Sequence, residues 1–203
     1  QRNMTQSVES KTVSPSVPDR LLAEATRLFA QRGFDRVSVQ ELVEAAGVTK
    51  GAMYHYFTSK DDLLFAVYQR VLKLQMSRLR QVVEGGGDVT ERLHAAAADV
   101  VRTTVDNLDD MVIFFRSLHM LSPGRQSEVR RERRKYHELF RSLIEEGMSE
   151  GVFHDKIPAD IVVNYFFGAV HHLSMWYRSD GELSGAQLGA HYADLLLASL
   201  RTD

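Results

Sequence analysis

The apolar residues of this chain recur every three to four positions over most of its length, which is the spacing of one face of an α-helix. Between the turn signals there is no run of alternating apolar and polar residues of the kind that indicates a β-strand. The pattern therefore predicts an all-α protein of nine helices. We expect them at about residues 18–31, 38–46, 50–57, 60–83, 90–107, 111–121, 126–147, 158–178 and 184–200.

Breaks in the pattern divide the chain into three parts. Residues 1–17 are polar and contain Pro15, so we expect a flexible N-terminal arm. Residues 18–64 hold closely spaced short helices and form one predicted domain, and residues 65–203 form a second. The long helix that begins at residue 60 is expected to connect the two domains.

The densest local signals lie in the sequence AGVTKGAMYHYFTSKDDLL at residues 46–64. Gly47 can adopt the left-handed conformation that ends one helix, and Thr49 can cap the next. Two apolar residues four positions apart would dock that short helix against the protein. Its other face exposes side chains that can reach nucleic acid: Lys50, Tyr54 and His55.

Capping signals flank this short helix on both sides. Ser38 and Glu41 fit a capping box at the start of the preceding helix, and Ser59 and Asp62 fit one at the start of the following helix. Lys60, inside the first turn of that following helix, opposes the helix dipole and is expected to need an outside partner such as a DNA phosphate. Each residue alone is readily explained as a solvated side chain, but together they favour a helix-turn-helix.

Residues 38–64 resemble the DNA-binding domain of TetR-family transcriptional regulators, whose usual run is a threonine or serine, then AGV, then GxxYxYFxSKxxLL. The resemblance implies a two-domain architecture, with an N-terminal three-helix helix-turn-helix domain and a helical ligand-binding and dimerisation domain. It implies that double-stranded operator DNA is the partner, and no cofactor is expected. The DNA-binding positions are predicted to be Ser38, Gln40, Thr49, Lys50, Gly51, Ala52, Tyr54, His55, Tyr56 and Lys60.

The roles within this set also come from the resemblance. Phosphate contacts correspond to Tyr54, Tyr56 and Lys60. Base contacts correspond to Gln40, Thr49, Lys50 and His55, and the helix backbone is expected to approach DNA most closely at Gly51 and Ala52. Ala52 lacks the hydroxyl that some relatives carry there, so one phosphate bond of those relatives is not expected.

Composition limits the possible chemistry. The chain has 203 residues and a formal net charge of −2, so its bulk charge gives no support for nucleic-acid binding. The absence of cysteine excludes disulfides, thiolate metal sites and cysteine nucleophiles, and it agrees with a reducing cytoplasm. No metal site is expected. The most apolar long segment, residues 161–177, is too short and too polar to predict a membrane span.

Residues 147–151 match the GxSxG motif of a serine nucleophile elbow. An elbow needs a buried strand before its serine, whereas the residues before Ser149 have a helical pattern. We therefore predict that the protein is not an enzyme. Two rival hypotheses are an all-helical hydrolase and a helical adaptor that binds other proteins.

The second domain is rich in aromatic and sulfur-containing side chains, which can line a cavity as well as fill a core. Arg116 and His119 lie among apolar residues and are the preferred polar pocket groups. Five cations lie between residues 130 and 135, of which Arg130 and Arg134 can converge on an anion or can simply be solvated. The predicted ligand-binding residues are Phe115, Arg116, His119, Met120, Phe166, His172 and Trp176.

The chain's ending, WYRSDGELSGAQLGAHYADLLL, is similar to that of TetR-family regulators of fatty-acid or steroid degradation. This likeness implies a hydrophobic small-molecule effector, such as an acyl coenzyme A thioester. Such a regulator is most often a repressor, which its effector releases from a palindromic operator.

A palindromic operator calls for a homodimer, because one short helix covers few base pairs. The last two helices mix small and large apolar residues, as helix-on-helix packing requires. The predicted dimer interface consists of Val163, Phe167, Val170, Ser174, Leu188, Tyr192, Leu195, Leu196 and Ser199.

Overall fold

The computed structural model describes residues 14–202, and within this range it contains nine α-helices and no β-strand. The all-α prediction is therefore confirmed. The helices are α1 (Val17–Arg32), α2 (Val39–Ala46), α3 (Lys50–Tyr56), α4 (Lys60–Val83), α5 (Val89–Asp106), α6 (Leu108–Arg116), α7 (Pro123–Ser149), α8 (Ala159–Trp176) and α9 (Gly185–Leu200).

Most of the predicted N-terminal arm, residues 1–13, lies outside the described residues. α1 begins at Val17, the last residue that was assigned to the arm. Ser16 caps this helix by accepting a hydrogen bond from the backbone N–H of Asp19, and Pro18 supplies a backbone angle suited to the first turn.

The predicted sixth helix, residues 111–121, differs from the observed one. α6 begins three residues earlier and ends at Arg116, where the backbone tightens into a short 3₁₀ turn, Leu118–Met120. A second 3₁₀ turn, Phe34–Arg36, follows Gly33. Neither turn carries a hydrophobic repeat long enough to be detected from the sequence.

Two apolar clusters form the core. One consists of the second half of α4 with α5, α7, α8 and α9. The other joins α1 to α3 with the first half of α4 and with Met111, Ile113 and Phe114 of α6. This second cluster crosses the boundary predicted at residue 65, so the N-terminal helices share a continuous core with α6. A displacement of α6 would therefore reach the helix-turn-helix through packed side chains.

The end of α7 explains the GxSxG sequence without catalysis. A side chain at Gly147 would lie 2.1 Å from the ring of Phe153, so only glycine lets the buried Phe153 fold back onto the helix. Gly151, at φ +71°, turns the chain between them. Ser149 is the last residue of α7 and is exposed, as the helical pattern predicts.

Candidate functional site

α3 is held against the protein by one face only. Gly47 ends α2 in the left-handed conformation at φ +65°, and Thr49 caps α3 by accepting a hydrogen bond from the N–H of Ala52 at 3.1 Å. Met53 is completely buried and anchors the helix. The turn and the anchor together fix which residues of α3 face solvent.

The exposed side of α2 and α3 contains almost all of the predicted base-reading and phosphate-reading residues. Tyr54 and Tyr56 remain about half exposed, at 49% and 50%, which is unusual for large aromatic side chains. The side chain of Lys50 makes no hydrogen bond or ion pair within residues 14–202. The other exposed members of the set are Gln40, Thr49, Gly51 and His55, and Ala52 is half-buried.

Two residues of the predicted DNA-binding set already have partners on α2. Ser38 forms a complete capping box with Glu41, and Gln40 donates a hydrogen bond to Glu44 at 2.6 Å. The backbone N–H of Ser38, the guanidinium of Arg32 and the Ser38 hydroxyl together lower the pKa of Glu41 to about 2. These contacts stabilise the start of α2 and fasten it to Arg32 of α1.

The expectation that Lys60 needs an outside partner is wrong. Its ammonium group donates hydrogen bonds to the carbonyl oxygens of Phe34 and Val37, at 2.8 and 3.0 Å, and lies 4.3 Å from the centre of the Phe34 ring. The two carbonyl groups compensate the unfavourable helix dipole. Lys60 therefore fastens the start of α4 to the 3₁₀ turn after α1, and its contact with a DNA phosphate stays a prediction.

Four acidic residues of α1, α2 and the start of α4 are paired with arginines of the same chain. Asp61 and Asp62 pair with Arg125 of α7, at 2.5 and 2.6 Å. Glu41 pairs with Arg32, and Glu24 pairs with Arg27. These pairings reduce the repulsion that a phosphate backbone would meet at this surface, a feature that the balanced composition conceals.

Three sets of polar contacts join α4 to its neighbours. The first is the pairing of Asp61 and Asp62 with Arg125 of α7. Arg70 of α4 donates hydrogen bonds to Thr26 of α1 and to the buried Asp110 of α6, at 2.9 and 2.7 Å. The buried Tyr68 hydroxyl of α4 donates to backbone carbonyls of α6. α4 is thus fastened simultaneously to α1, α6 and α7.

A small inner cavity lies between α4, α5, α6, α7 and α8. Its volume is about 30 Å³, enough for about one or two water molecules, so a larger ligand needs the lining to open. The lining is largely aromatic and aliphatic with a few polar groups: Leu72, Gln75, Val100, Thr104, Met111, Phe114, Phe115, Arg133, Tyr136, His137, Phe167, Val170 and His171.

The polar groups of the inner cavity centre on Arg133. Its guanidinium lies 4.8 Å from the centre of the Phe114 ring, and burial lowers its pKa. Burial, followed by the positive charge of Arg133, lowers the pKa of His137 to about 4. The same causes, together with His137, lower the pKa of His171 to about 4. At neutral pH the cavity therefore holds one cation and two neutral imidazoles.

The predicted ligand-binding residues separate into two groups. Phe115, Arg116 and His172 meet at an open depression between α6 and α8, with a volume of about 400 Å³, and Phe115 also lines the inner cavity. The remaining predicted residues line neither space. Phe166 is buried and stacked on Phe140, Met120 packs against the N-terminal cluster, and His119 and Trp176 are exposed.

The sequence reasoning missed the inner-cavity residues of α4 and α7, especially Leu72, Arg133 and His137. A signal for two of them was present, because Arg130, Arg133, Arg134 and His137 follow the spacing i, i+3, i+4, i+7 of one helix face. A further groove of about 530 Å³ lies between α4 and α7, and Leu72 lines both this groove and the inner cavity.

Five of the nine residues predicted for the dimer interface are buried within the single chain. Helix packing within the single chain turns the large apolar residues of α8 and α9 inward, where α9 lies so close to α5 that a side chain at Gly189 would meet the Ala98 carbonyl oxygen. The buried members are Val163, Phe167, Val170, Leu188 and Leu196. Ser174 and Tyr192 are half-buried, whereas Leu195 and Ser199 are exposed.

Another stripe of α8 carries the exposed apolar surface. Ile161, Tyr165 and Met175 are 58%, 81% and 70% exposed, and Gly168 and His172 lie between them. The spacing of these five residues follows a single helix face. Leu195 of α9 is 70% exposed as well.

Two negative findings concern residues 14–202. None of their helices has the combination of length and apolar composition that crossing a bilayer requires. No group of three histidine, aspartate or glutamate side chains in this range is arranged to hold a metal ion.

The fold and the exposed α3 surface define a helix-turn-helix regulator with a helical ligand-binding body. Residues 21–67 match the family described as bacterial regulatory proteins, tetR family, and residues 86–200, more than half of the chain, match the tetracyclin repressor-like C-terminal domain. The chain belongs to the TetR family.

Three relatives illustrate the similarity. The transcriptional repressor KstR2 of Mycobacterium tuberculosis H37Rv is 24% identical over 181 residues, covering 89% of this chain and 90% of KstR2. The solved structure of the ketosteroid regulator KstR2 has a TM-score of 0.84 at 23% identity, and the match covers 94% of this chain and 98% of that one. The structure of PfmR of Thermus thermophilus has a TM-score of 0.82 at 27% identity, and the match covers 91% of this chain and 100% of PfmR. The structure of AibR, solved with isovaleryl coenzyme A and operator DNA, has a TM-score of 0.77 at 21% identity, and the match covers 92% of this chain and 98% of AibR.

Proposed function

We propose that this protein is a dimeric transcriptional repressor in the bacterial cytoplasm, and that a small hydrophobic effector releases it from a palindromic operator. The observation that carries the proposal is the exposure of Lys50, Tyr54, His55 and Tyr56 on a helix docked through Met53. A short helix with a buried anchor and an exposed polar face can enter the major groove. The relative KstR2 is named as a transcriptional repressor, which supports repression over activation for this protein.

Binding to DNA can be tested by gel-shift titration against the DNA upstream of the protein's own gene. We expect Tyr54→Phe to weaken binding to every sequence several-fold, because it removes one phosphate hydrogen bond worth about 0.5–1.5 kcal/mol. Lys50→Ala should cost about 1–3 kcal/mol and also reduce base preference. Lys73→Ala, which removes an exposed lysine in the middle of α4, is the matched control and should bind normally.

The result that would refute the DNA-binding role is equal DNA affinity for the wild type and the Tyr54 and Lys50 variants. Salt provides a second check, because phosphate contacts release counterions and make affinity fall as salt rises. A protein that acts as an adaptor or a hydrolase would show no such dependence on operator DNA.

The proposed release mechanism is a shift between two conformations. The inner cavity is too small for an effector, so an effector binds best when Leu72 and Gln75 of α4 or Phe114 of α6 move outward. α4 carries the helix-turn-helix, and α6 shares its core. The same movement would change the separation of the two α3 helices from the about 34–36 Å between successive major grooves.

The effector class is supported by the largely apolar lining and by comparison. AibR was solved with isovaleryl coenzyme A, and KstR2 is named as a ketosteroid regulator. We therefore propose a hydrophobic acid or its coenzyme A thioester as the effector. Thermal-shift screening of coenzyme A esters, free carboxylates, flavonoids and drugs should identify it, because selective binding to the native state raises the melting temperature.

We propose that the dimer forms through the exposed stripe of α8 around Tyr165, together with Leu195 of α9. Tyr165→Glu should convert the dimer to monomers in light scattering, because it places a charge in an apolar contact. Leu74→Glu changes an exposed apolar residue of α4 and should remain dimeric. If the Tyr165 variant also remains dimeric, the stripe is not the interface.

A further inference from the structure

The face of α7 that borders the inner cavity carries three arginines and one histidine at successive positions of a single helix face. Arg130, Arg133, Arg134 and His137 surround a surface depression with a volume of about 250 Å³. We call these four residues the arginine stripe. Among the described residues, no acidic side chain lines the depression.

Two acidic residues of α7, Glu128 and Glu132, lie to the side of this row. Glu132 pairs with Lys135 at 2.9 Å and lies 4.0 Å from Arg131, and Glu128 and Glu132 line the groove toward α4 instead. Arg130 donates a hydrogen bond to the neutral side chain of Gln126. Within residues 14–202, none of the three arginines of the stripe pairs with a carboxylate.

Such an arrangement is costly without a ligand, because three positive charges on adjacent turns repel one another. Partial burial of Arg133 increases this cost and lowers its pKa. An anionic group would relieve the repulsion and could accept several guanidinium hydrogen bonds at once.

The stripe is continuous with the inner cavity. Arg133 and His137 line both spaces, so a molecule seated in the depression can extend between these two side chains toward Phe114 and Phe167. Apolar surface inside and cations at the mouth fit a molecule with an anionic head and an apolar body.

Resting on the proposed effector-binding role, we propose that the arginine stripe binds the anionic head of the effector and that the inner cavity opens to receive its apolar body. The head is a carboxylate or the phosphates of a coenzyme A thioester. With a carboxylate, Arg133 is the main partner. With a thioester, Arg130 and Arg134 hold the phosphates at the surface while the acyl group passes Arg133.

Isothermal titration of the purified full-length protein tests this proposal without DNA. The probes are octanoyl coenzyme A, coenzyme A, octanoate and uncharged methyl octanoate. We expect at least one anionic probe to bind more tightly than methyl octanoate. Arg130→Met and Arg134→Met should each weaken octanoyl coenzyme A binding by about tenfold if the head is a phosphate, whereas only Arg133→Met should weaken octanoate binding.

Arg131→Met is the matched control, because it removes the same charge from the side of α7 that faces Glu132 and should leave affinity within about twofold. The proposal is overturned if this control weakens binding as much as the stripe variants, if methyl octanoate binds as tightly as the anions, or if none of the probes binds. A gel shift with the arginine-stripe variants, without ligand, distinguishes a role of the stripe in ligand binding from a role in DNA binding. We expect normal affinity for the operator, and weakened affinity would mean that the stripe binds DNA instead.

Discussion

The α3 surface and the inner cavity differ in how they are prepared for their partners. On α3 the polar side chains are already exposed on a helix fixed by Met53 and by the caps at Gly47 and Thr49. The cavity, in contrast, has a volume of only about 30 Å³ and is lined largely by aromatic side chains that must move to admit a ligand. A preformed surface can dock into the major groove of DNA with little rearrangement, whereas a ligand that enlarges a small cavity can change the conformation of the protein.

If a ligand in the cavity is to affect α3, the contacts between the two regions must transmit its movement. Arg70, Tyr68 and Arg125 tie α4 to its neighbours through hydrogen bonds that a moving helix must break or carry with it. A regulator needs this linkage to be strong enough to transmit a movement. It also needs helices α1 to α3, which we call the DNA-reading unit, to stay folded while they move.

The largest predicted effect tests the rigidity of the DNA-reading unit. Lys60→Ala removes two charge-assisted hydrogen bonds to the carbonyls of Phe34 and Val37 and should destabilise the N-terminal helices by about 1–3 kcal/mol. The measurement is hydrogen exchange of the amides in α1 to α3, which should become faster even without DNA.

Lys50→Ala is the matched control for Lys60, because it also removes one lysine but breaks no side-chain hydrogen bond or ion pair among the described residues. It should leave hydrogen exchange unchanged while weakening DNA binding. Unchanged exchange in the Lys60 variant, combined with weaker DNA binding, would restore Lys60 to the role of a simple phosphate contact.

The misassignment of Lys60 shows where sequence reasoning reaches its limit. Caps and helix ends depend on residues three to five positions apart, and the capping box of Ser38 and Glu41 was predicted and is present. The two partners of Lys60, Phe34 and Val37, lie 26 and 23 residues away, in and just after a 3₁₀ turn that has no periodic signal. The fold of the DNA-reading unit was therefore accessible from the sequence, and its long-range contacts were not.

The same limit applies to α8 and α9. The apolar pattern identified both helices, but both sides of α8 are apolar, so the pattern could not distinguish the face toward the core from the face toward solvent. Phe167 was assigned to the dimer and is in the core, whereas Tyr165, two positions away, is 81% exposed. Only the position of α5 and α7 around these helices decides the orientation.

A smaller effect is expected from breaking the linkage between the two regions. Arg70→Met removes the hydrogen bonds from α4 to Thr26 of α1 and to Asp110 of α6. Amide exchange in α1 and α6 should increase by about five- to tenfold, equivalent to about 1 kcal/mol of local stability. DNA affinity should fall at the same time, because the two α3 helices are held less firmly.

Arg78→Met is the control for Arg70, since Arg78 pairs with Asp99 of α5, away from the N-terminal helices. Its effect should stay within α4 and α5. If both variants increase amide exchange in α1 equally, the effect reflects a general loss of stability and not the specific contacts of Arg70.

The smallest predicted effect is a difference in the pH range over which each region loses stability. Burial holds the pKa of His137 and His171 near 4, below the ordinary value of 6.5, so between pH 6.5 and 4 the unfolded chain binds more protons than the folded one. The stability of the C-terminal body should therefore fall as pH decreases through this window. Glu41, with its pKa lowered to about 2 from 4.5, should affect the N-terminal helices only below pH 4.5, in the same direction.

Urea unfolding followed by the fluorescence of Trp176, the single tryptophan, reports on the body, and amide NMR signals of α2 report on the N-terminal helices. In the double variant His137→Gln, His171→Gln, the unfolding midpoint should decline less between pH 6.5 and 4. Glu41→Gln should flatten only the loss of α2 signals below pH 4.5, because it removes the carboxylate that Arg32 and Ser38 stabilise. Identical pH profiles for wild type and double variant would mean that the two imidazoles are solvated in the folded protein and are not buried in the inner cavity.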